Sequence, residues 1–269
     1  MHENADARSK GAAAMSAEVT LREEVARGIH VLQVHMDWPA AVPRPGQFYQ
    51  VDCGGGREHL LPRPIGAHGV TVDRDGLSVR FLVESVGWGT ATLCSLTPGE
   101  AIRLLGPLGR GFGMPERGKA LLVSGGVGVA PLFYLARVME AEAVAHDLLA
   151  GFVSRDRYYP AVQGLDCHVD LFTDDGSLGN KGPVCDAVAG RLDVGDYAKV
   201  YTCGPDQMMK IVASECGSRG VPCEVSLDSR MACGIGACRG CVREGAGGKN
   251  ICVCTDGPVF DARDVGWVR

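Results

Sequence analysis

Residues 231–254 read MACGIGACRGCVREGAGGKNICVC, and four of their five cysteines follow the spacing C-x4-C-x2-C-x12-C. These four are Cys233, Cys238, Cys241 and Cys254. The spacing is typical of loops in which four thiolates hold one [2Fe–2S] cluster. Such a loop needs room for sulfide and backbone N–H groups directed at sulfur, and the glycines between the cysteines provide both. The stretch therefore predicts an iron–sulfur site and electron transfer.

A zinc site and a disulfide framework fit these cysteines less well than a cluster does. A structural zinc site also takes four thiolates, but usually as two separated C-x2–4-C pairs, whereas here three of the four crowd together. The remaining cysteines are scattered and show no disulfide framework. Cys252 competes with Cys254 as the fourth ligand, and Cys254 is preferred because it directly precedes the turn at residues 255–258.

Length and charge narrow the classes of function. The chain has 269 residues, enough for two domains of ordinary size. A net charge of −5 without a basic stripe argues against a nucleic-acid partner. The longest uncharged run, residues 120–136, contains Gly125, Gly126 and Pro131 and is shorter than the ~20 apolar residues of a membrane span.

The first residues predict no globular structure. Residues 1–17 are polar and alanine-rich without the apolar segment of a signal peptide, so we expect a disordered extension. Abundant free cysteine without an export signal predicts a cytoplasmic protein.

Residues 18–113 predict an antiparallel β-barrel. Short strands alternate with turns rich in proline, glycine and aspartate, a pattern typical of such barrels. The candidate strands are residues 19–25, 29–35, 47–51, 77–84 and 101–104. The glycine-rich residues 107–118 are interpreted as the linker to the next domain.

Residues 114–228 predict an α/β domain with a parallel sheet. Strands and helices alternate here, which favours a sheet covered on both faces. The candidate strands are residues 120–124, 148–153, 168–172, 199–202 and 224–227. The candidate helices are residues 129–145, 184–189 and 207–218. Residues 229–269 form the third segment, which carries the cluster cysteines.

Two glycine motifs follow strands of the predicted sheet. Residues 124–131 read SGGVGVAP, and glycines between a strand and a helix let backbone amides approach a pyrophosphate at the helix N-terminus. The alternative is a purely structural tight turn. Residues 202–205 read TCGP and lie at the same predicted edge of the sheet, where Cys203 is either a site residue or an inert core thiol.

Two barrel segments could contact a second nucleotide. In residues 63–66, RPIG, an arginine beside a rigid proline can neutralise a pyrophosphate, although most such dipeptides are surface turns. Residues 87–90, GWGT, offer backbone N–H groups and a hydroxyl to a phosphate, or form an ordinary glycine turn.

Taken together and in this order, the motifs resemble the ferredoxin-reductase superfamily. The superfamily patterns are R-P-x-[ST], G-G-x-G-x-A-P and C-G-P. The cluster stretch M-A-C-G-x-G-x-C-x-x-C and the tail C-x-D-G-P-V-F resemble the electron-transfer subunits of class 1B dihydroorotate dehydrogenases. This resemblance covers about residues 18–267.

The resemblance implies an FAD-binding barrel, a nucleotide domain that takes NAD, and a [2Fe–2S] loop. The implied flavin residues are Arg63, Pro64, Ile65, Gly66, Leu82, Val83, Glu84, Gly89 and Thr90. The implied nicotinamide residues are Gly126, Gly128, Cys203, Gly204 and Pro205. Two positions depart from the family pattern: Gly66 replaces a serine or threonine, and Glu84 stands where a basic residue is often found.

The implied function is an oxidoreductase subunit of pyrimidine biosynthesis. An FMN-containing catalytic partner would oxidise dihydroorotate, and electrons would pass through the cluster and FAD to NAD⁺, in a heterotetramer with two copies of each subunit. No side chain is expected to act as a catalytic acid or base, because the cofactors carry the chemistry. The alternatives are a flavin subunit of a ferredoxin:NAD(P) oxidoreductase or sulfhydrogenase, and a non-enzymatic metal-binding module.

Overall fold

The computed structural model describes residues 13–37, 41–54 and 60–268. Six antiparallel strands close into a barrel in the order β1-β2-β5-β4-β3-β6. They are β1 (Ala13–Ala26), β2 (Ile29–Met36), β3 (Phe48–Val51), β4 (Arg63–Val72), β5 (Leu77–Glu84) and β6 (Ala101–Leu108). Helix α1 (Trp88–Ser95) connects β5 to β6. Closure leaves no unpaired strand edge in the barrel, and large side chains such as Tyr49 and Phe81 fill its interior.

The barrel begins earlier than the sequence suggests. We expected residues 1–17 to be disordered, but β1 starts at Ala13 and pairs with β6 from Ala13–Gly106 to Glu18–Ala101. The prediction was wrong for residues 13–17 because alanine and serine have weak strand propensity, while the pairing that closes the barrel is a tertiary interaction. Ala17 is buried in the barrel core. Residues 1–12 lie outside the described residues.

The second unit is a seven-stranded sheet in the order β10-β9-β8-β7-β11-β12-β15. Its strands are β7 (Lys119–Gly125), β8 (His146–Phe152), β9 (His168–Thr173), β10 (Asn180–Lys181), β11 (Tyr197–Cys203), β12 (Cys223–Ser226) and β15 (Val259–Asp261). All neighbours are parallel except β12 and β15. The helices are α2 (Val129–Ala141), α3 (Val188–Val194) and α4 (Asp206–Ser218).

Helices cover both faces of this sheet. Leu132 and Leu135 of α2 pack with Leu122 of β7 on one face, while Met209 and Val212 of α4 pack in a separate cluster on the other. Because both faces are covered, the central strands are continuous apolar runs, as expected for a parallel sheet. Two predicted helices have different bounds: α2 ends at Ala141, and residues 184–187 form a 3₁₀ turn before α3.

The cluster segment is joined to this sheet. It contains the hairpin β13 (Val242–Glu244) and β14 (Asn250–Cys252), the short helix α5 (Val253–Asp256) and β15. Strand β15 adds to the sheet beside β12, with Val259 opposite Ser226. The third predicted segment is therefore packed into the α/β core.

The connection from barrel to sheet is fixed at Gly113. Its carbonyl accepts hydrogen bonds from Lys199 Nζ (3.1 Å) and Tyr201 Oη (2.7 Å), and its N–H donates to Glu224 Oε2 (3.0 Å). Strand β6 runs to Leu108, so the connection is shorter than the predicted linker of residues 107–118.

His68 provides a second connection between the two units. An irregular register between Ala67 and Gly69 in β4 lets the imidazole contact α2, where Nδ1 donates to the Ala130 carbonyl at 3.2 Å. Nε2 accepts from Tyr159 Oη at 2.7 Å. Burial lowers the pKa of His68 to about 4, so the ring is neutral at physiological pH. Among the described residues, none of the helices has the length and apolar character needed to span a bilayer.

Paired substitutions in β1 test whether residues 13–17 form part of the barrel. Ala17→Asp places a carboxylate in the core and should lower the free energy of unfolding by about 3 kcal/mol, whereas Ser16→Asp on the exposed side should change it by less than about 0.5 kcal/mol. Chemical denaturation of both variants measures the difference. Equal, near-zero effects would mean that this segment does not pair with β6.

Candidate redox site

A cleft of about 920 Å³ lies between the barrel and the carboxyl edge of the sheet. All but one of the expected cofactor-binding residues line it. They are Arg63, Pro64, Ile65, Gly66, Leu82, Val83, Glu84, Thr90, Gly126, Gly128, Cys203, Gly204 and Pro205. Segments separated by more than a hundred residues in sequence therefore share one cavity, large enough for a sizeable cofactor.

The exception, Gly89, does not line the cleft but packs against Arg63, which does. A Cβ on Gly89 would lie 2.7 Å from Arg63 Nε, so the absence of a side chain allows the guanidinium to rest on the first turn of α1. Arg63 Nη1 also donates to the Leu61 carbonyl at 2.6 Å. The guanidinium and the amino end of α1 thus lie together, and both attract anions.

Of the two alternatives for residues 87–90, a phosphate-contacting segment or an ordinary glycine turn, the structure shows no isolated turn, because these residues begin helix α1. Thr90 Oγ1 accepts from the N–H groups of Val86 (3.0 Å) and Gly87 (3.2 Å) and donates to the Gly87 carbonyl. The Thr90 hydroxyl therefore caps α1 and also lines the cleft, where it lies with Arg63 and the backbone amides at the start of the helix.

The two departures from the family pattern have different surroundings. Nothing lies within 4 Å of a Cβ built on Gly66, so the cleft is open where the family has a hydroxyl. Glu84 forms an ion pair with Arg157 of the α/β unit, and Arg157 Nη1 also donates to the Arg27 carbonyl at 2.8 Å. A basic group therefore reaches this position from the other domain.

The two glycine motifs of the sheet are in direct contact. A Cβ on Gly128 would lie 2.4 Å from the Cys203 carbonyl oxygen, so only glycine allows the loop after β7 to pack on the loop after β11. Gly126 has φ +54° and open space around it, so its backbone is accessible from the cleft. Helix α2 begins directly afterwards, which directs its amino end at this part of the cleft.

The cleft provides little acid–base chemistry. Burial raises the pKa of the Cys203 thiol to about 12, so it stays protonated at neutral pH. The described residues that line the cleft include no histidine, lysine or tyrosine. Such a cavity suits the transfer of electrons or hydride between bound cofactors.

Sequence reasoning missed one wall of the cleft. Residues 226–231 line it as the chain runs from β12 to the cluster loop. Residues 226–230 match none of the quoted motifs, and Met231 is the first residue of the cluster stretch; the only signal for this wall was its position between a predicted strand and the cluster cysteines. Met231 and Pro258 both line the cleft, and they lie two and four positions from Cys233 and Cys254.

The inner pair of cluster cysteines is buried. Cys241 and Cys254 are 3 % and 1 % exposed, and their Sγ atoms lie 3.2 Å apart. Burial and the nearby Cys241 thiol raise the pKa of Cys254 to about 12. Burial and the same neighbour also raise the pKa of Cys252, whose N–H donates to Asp256 Oδ2 at 2.9 Å. Cys252 therefore remains close to the site, and Cys254 stays the predicted fourth ligand.

The outer pair, Cys233 and Cys238, already has donors directed at sulfur. Cys233 Sγ accepts from the N–H groups of Ile235 and Cys238, each at 3.4 Å, and Cys238 Sγ accepts from Gly240 at 3.4 Å. Burial opposes ionisation of Cys233, but these N–H groups outweigh it and lower its pKa to about 7. Such a donor set fits thiolate ligands.

Cys241 and Cys254 are in direct Sγ contact, and Cys233 and Cys238 are joined by a backbone N–H to sulfur hydrogen bond. Among the residues that the structure describes, no three His, Cys, Asp or Glu side chains converge on a single ion. A two-iron cluster requires a wider arrangement, with two thiolates for each iron. The contacts that join Cys241 to Cys254 and Cys238 to Cys233 are compatible with two thiolates on each iron of such a cluster.

Comparisons with known proteins agree with this geometry. Residues 228–266 match the family model of the iron–sulfur cluster binding domain of dihydroorotate dehydrogenase B. The chain is 39% identical over 231 residues to the dihydroorotate dehydrogenase B (NAD⁺) electron transfer subunit of Desulforamulus reducens, covering 83% of this chain and 87% of that one. It is 35% identical to the same subunit of Caldanaerobacter subterraneus, covering 93% and 98%. The chain belongs to this family of electron-transfer subunits.

Solved structures share the fold. One, from work on flavin-based electron bifurcation by an NADH-dependent reduced ferredoxin-NADP oxidoreductase, has a TM-score of 0.81 and 27% identity, covering 93% of this chain and 90% of that one. The ferredoxin reductase of carbazole 1,9a-dioxygenase has a TM-score of 0.68 at 22% identity, covering 78% and 67%. The predicted fold class, an antiparallel barrel followed by a parallel α/β sheet, is confirmed.

Serine substitutions test the choice of the fourth ligand. Cys254→Ser should abolish or strongly alter the EPR signal of the reduced cluster, because Cys254 Sγ lies beside Cys241 Sγ. Cys252→Ser, two residues away, is the matched control and should leave the signal intact. The opposite pattern would assign the ligand to Cys252.

Proposed function

We propose that this chain passes electrons from an FMN-containing catalytic subunit to NAD⁺ in an NAD-dependent dihydroorotate dehydrogenase of pyrimidine biosynthesis. A [2Fe–2S] cluster and FAD would be bound at the sites described above. One observation carries the proposal: Met231 and Pro258, at the two ends of the cluster loop, line the same cleft as the flavin and nicotinamide motifs. FAD, when bound, supplies the exchange between one-electron and two-electron transfer.

Residues of the barrel would hold the flavin. Arg63 and the amino end of α1 lie together and would neutralise its diphosphate. The extended backbone at Pro64 and Ile65 would lie along the ring, and the Glu84–Arg157 pair would set the charge beside it. Leu82 and Val83 would form the apolar wall behind it.

Residues of the sheet would hold the nicotinamide nucleotide. Gly126 and Gly128 would bring backbone N–H groups to its diphosphate at the start of α2. The backbone of Cys203, Gly204 and Pro205, packed on that loop, would face the nicotinamide ring. A protonated Cys203 would contact the ring without exchanging a proton with it.

The cluster would connect the cleft to the protein surface. Cys254 is buried, whereas Cys238 and its neighbour Arg239 are exposed, and Ile235 is 54 % exposed. The exposed side of the loop would receive the catalytic subunit, and a heterotetramer with two copies of each chain would place one electron-transfer subunit on each catalytic site. Arg243, by contrast, is occupied by an ion pair with Asp206.

A related activity is the second candidate. The structural similarity to an NADH-dependent ferredoxin-NADP oxidoreductase favours a flavin subunit with another redox partner. A non-enzymatic metal-binding module is a weaker alternative, because the flavin and nicotinamide motifs converge on one open cleft.

Reconstitution tests the division of labour between subunits. The chain loaded with FAD and iron should reduce ferricyanide with NADH but not oxidise dihydroorotate until an FMN-containing catalytic subunit is added. The Cys254→Ser variant should keep NADH–ferricyanide activity and lose dihydroorotate-dependent NAD⁺ reduction. Oxidation of dihydroorotate by the lone chain would contradict the proposal, and co-purification with a ferredoxin-linked subunit would favour the second candidate.

Nucleotide choice can be tested separately, and we expect NADH to be preferred over NADPH. Asp174 and Asp175 follow β9 and are exposed, and hydrogen bonds from Ser177 lower the pKa of Asp175, which keeps it anionic toward a 2′-phosphate. Arg157, a guanidinium of the same domain that could otherwise bind such a phosphate, is paired with Glu84. The kcat/KM for NADH should exceed that for NADPH by about tenfold, or about 1.4 kcal/mol.

Two aspartate variants, one at the proposed nucleotide site and one distant from it in sequence, test the cause of this preference. Asp175→Asn should narrow the ratio of the two kcat/KM values. Asp193→Asn, beyond Ser177 in sequence and paired with Arg219, should leave it unchanged. A higher kcat/KM for NADPH in the unmodified chain would refute the preference.

A further inference from the structure

Gln50 carries a buried amide without a partner. The residue is 2 % exposed, and neither Nε2 nor Oε1 makes a hydrogen bond to any described residue. A buried amide that makes no hydrogen bond destabilises the fold, because it has lost its hydrogen bonds to water. Buried groups of this kind are normally satisfied by protein, water or a bound group, so Gln50 needs an explanation that its barrel position does not provide.

The side chain of Gln50 is directed out of the barrel. Along β3, Tyr49 and Val51 belong to the barrel core, whereas Phe48 belongs to the other face and lines the cleft. Because side chains alternate along a strand, Gln50 lies on the same face as Phe48. The amide therefore lies beside the cleft and not in the barrel interior.

On that face Gln50 contacts the cluster loop. A Cβ built on Gly234, the residue after Cys233, would lie 2.6 Å from Gln50 Cγ and 3.0 Å from Nε2. Gly234 is buried and has φ +72°, so the loop is pressed closely against the amide. The residues opposite Gln50 on the adjacent strands, Pro64 and Leu105, bring no polar side chain.

We propose that Gln50 Nε2 donates a hydrogen bond to the sulfur shell of the [2Fe–2S] cluster beside Cys233 and raises its reduction potential. Sulfur in such clusters accepts hydrogen bonds, and each donor stabilises the negative charge added on reduction. Cys233 Sγ already accepts two backbone N–H groups, so the amide would add a side-chain donor to that end of the cluster. The inference rests on the proposed function, because it requires the cluster.

Gln50 would act as a tuning residue and not as a catalytic one. It sits on β3, which pairs with the flavin motif at the start of β4 and touches the cluster loop on its outer face. A donor at this position stabilises the reduced cluster, so it sets the fraction of the cluster that is reduced during electron transfer. The barrel would thereby control a cofactor that it does not ligate.

A potentiometric titration followed by EPR tests the proposal. Gln50→Met keeps the length of the side chain and removes its donor, so at a fixed solution potential the ratio of reduced to oxidised cluster should fall about tenfold, which equals about 59 mV for one electron. Gln33→Met is the matched control: Gln33 lies on β2 and bonds Thr20 and Arg80, so its loss should leave the cluster potential unchanged. An unchanged potential in Gln50→Met, or a shift confined to the flavin, would overturn the proposal.

A second measurement uses the unsubstituted chain and does not depend on the folding of a variant. With the glutamine side chains labelled with ¹⁵N, electron–nuclear double resonance on the reduced cluster should show a weak ¹⁵N coupling. A chain that holds the cluster but shows no such coupling would sink this inference alone. A chain that binds no [2Fe–2S] cluster would refute the proposed function itself.

Discussion

The pairing of β15 with β12 is the constraint on which the rest of the site depends. Three residues, Val259–Asp261, add an antiparallel strand to an otherwise parallel sheet. This edge strand also fixes the two residues before it. The Gly257 carbonyl accepts a hydrogen bond from the N–H of Arg110, which follows the last barrel strand, and Pro258 forms a β-bridge with the same residue. The cluster loop is thereby held from both sides. Pro258, which lines the cleft, directly precedes this strand, so the position of that wall depends on the pairing.

Two glycines allow neighbouring segments around the cleft to pack closely against each other. The loop after β7 packs on the loop after β11 only because Gly128 has no side chain, and Arg63 rests on α1 only because Gly89 has none. In both places a motif recognised for binding also holds two elements together. The requirement for glycine is therefore steric and local as well as functional, and a larger residue would displace the groups that face the cofactors.

Polar contacts between the barrel and the sheet orient the cleft. The Glu84–Arg157 pair is 26 and 32 % exposed, so solvent screens it and its contribution to stability is small. Its main effect is on position, since it brings a cation from one domain to the flavin side of the other. His68 acts differently: it is buried and neutral, and its two hydrogen bonds to Ala130 and Tyr159 tie β4 to the start of α2.

The binding motifs could be recognised in the sequence because each is formed by residues close together in the chain. The spacing of Cys233, Cys238 and Cys241 predicts a ligand set, with Cys254 preferred to Cys252 as its fourth member, and a strand, a glycine turn and the start of a helix follow one another around Gly126. Such signals depend on short-range backbone geometry, which the residue types largely specify. The same is true of the alternating strands and helices of the α/β unit, whose predicted positions lie within a few residues of those in the structure.

The features that the sequence did not predict depend on contacts between segments that are distant in the chain. Residues 13–17 form a strand only because β6 offers an edge, Thr90 caps α1 while it lines the cleft, and residues 226–231 become a wall of the cleft through the position of the cluster loop. The sequence gives no sign that Gln50 meets Gly234, since 184 residues separate them and neither belongs to a shared motif. Local residue patterns specify the parts and their chemistry. The packing of barrel, sheet and cluster segment determines which parts meet, because burial and strand pairing act between residues that are remote in the chain.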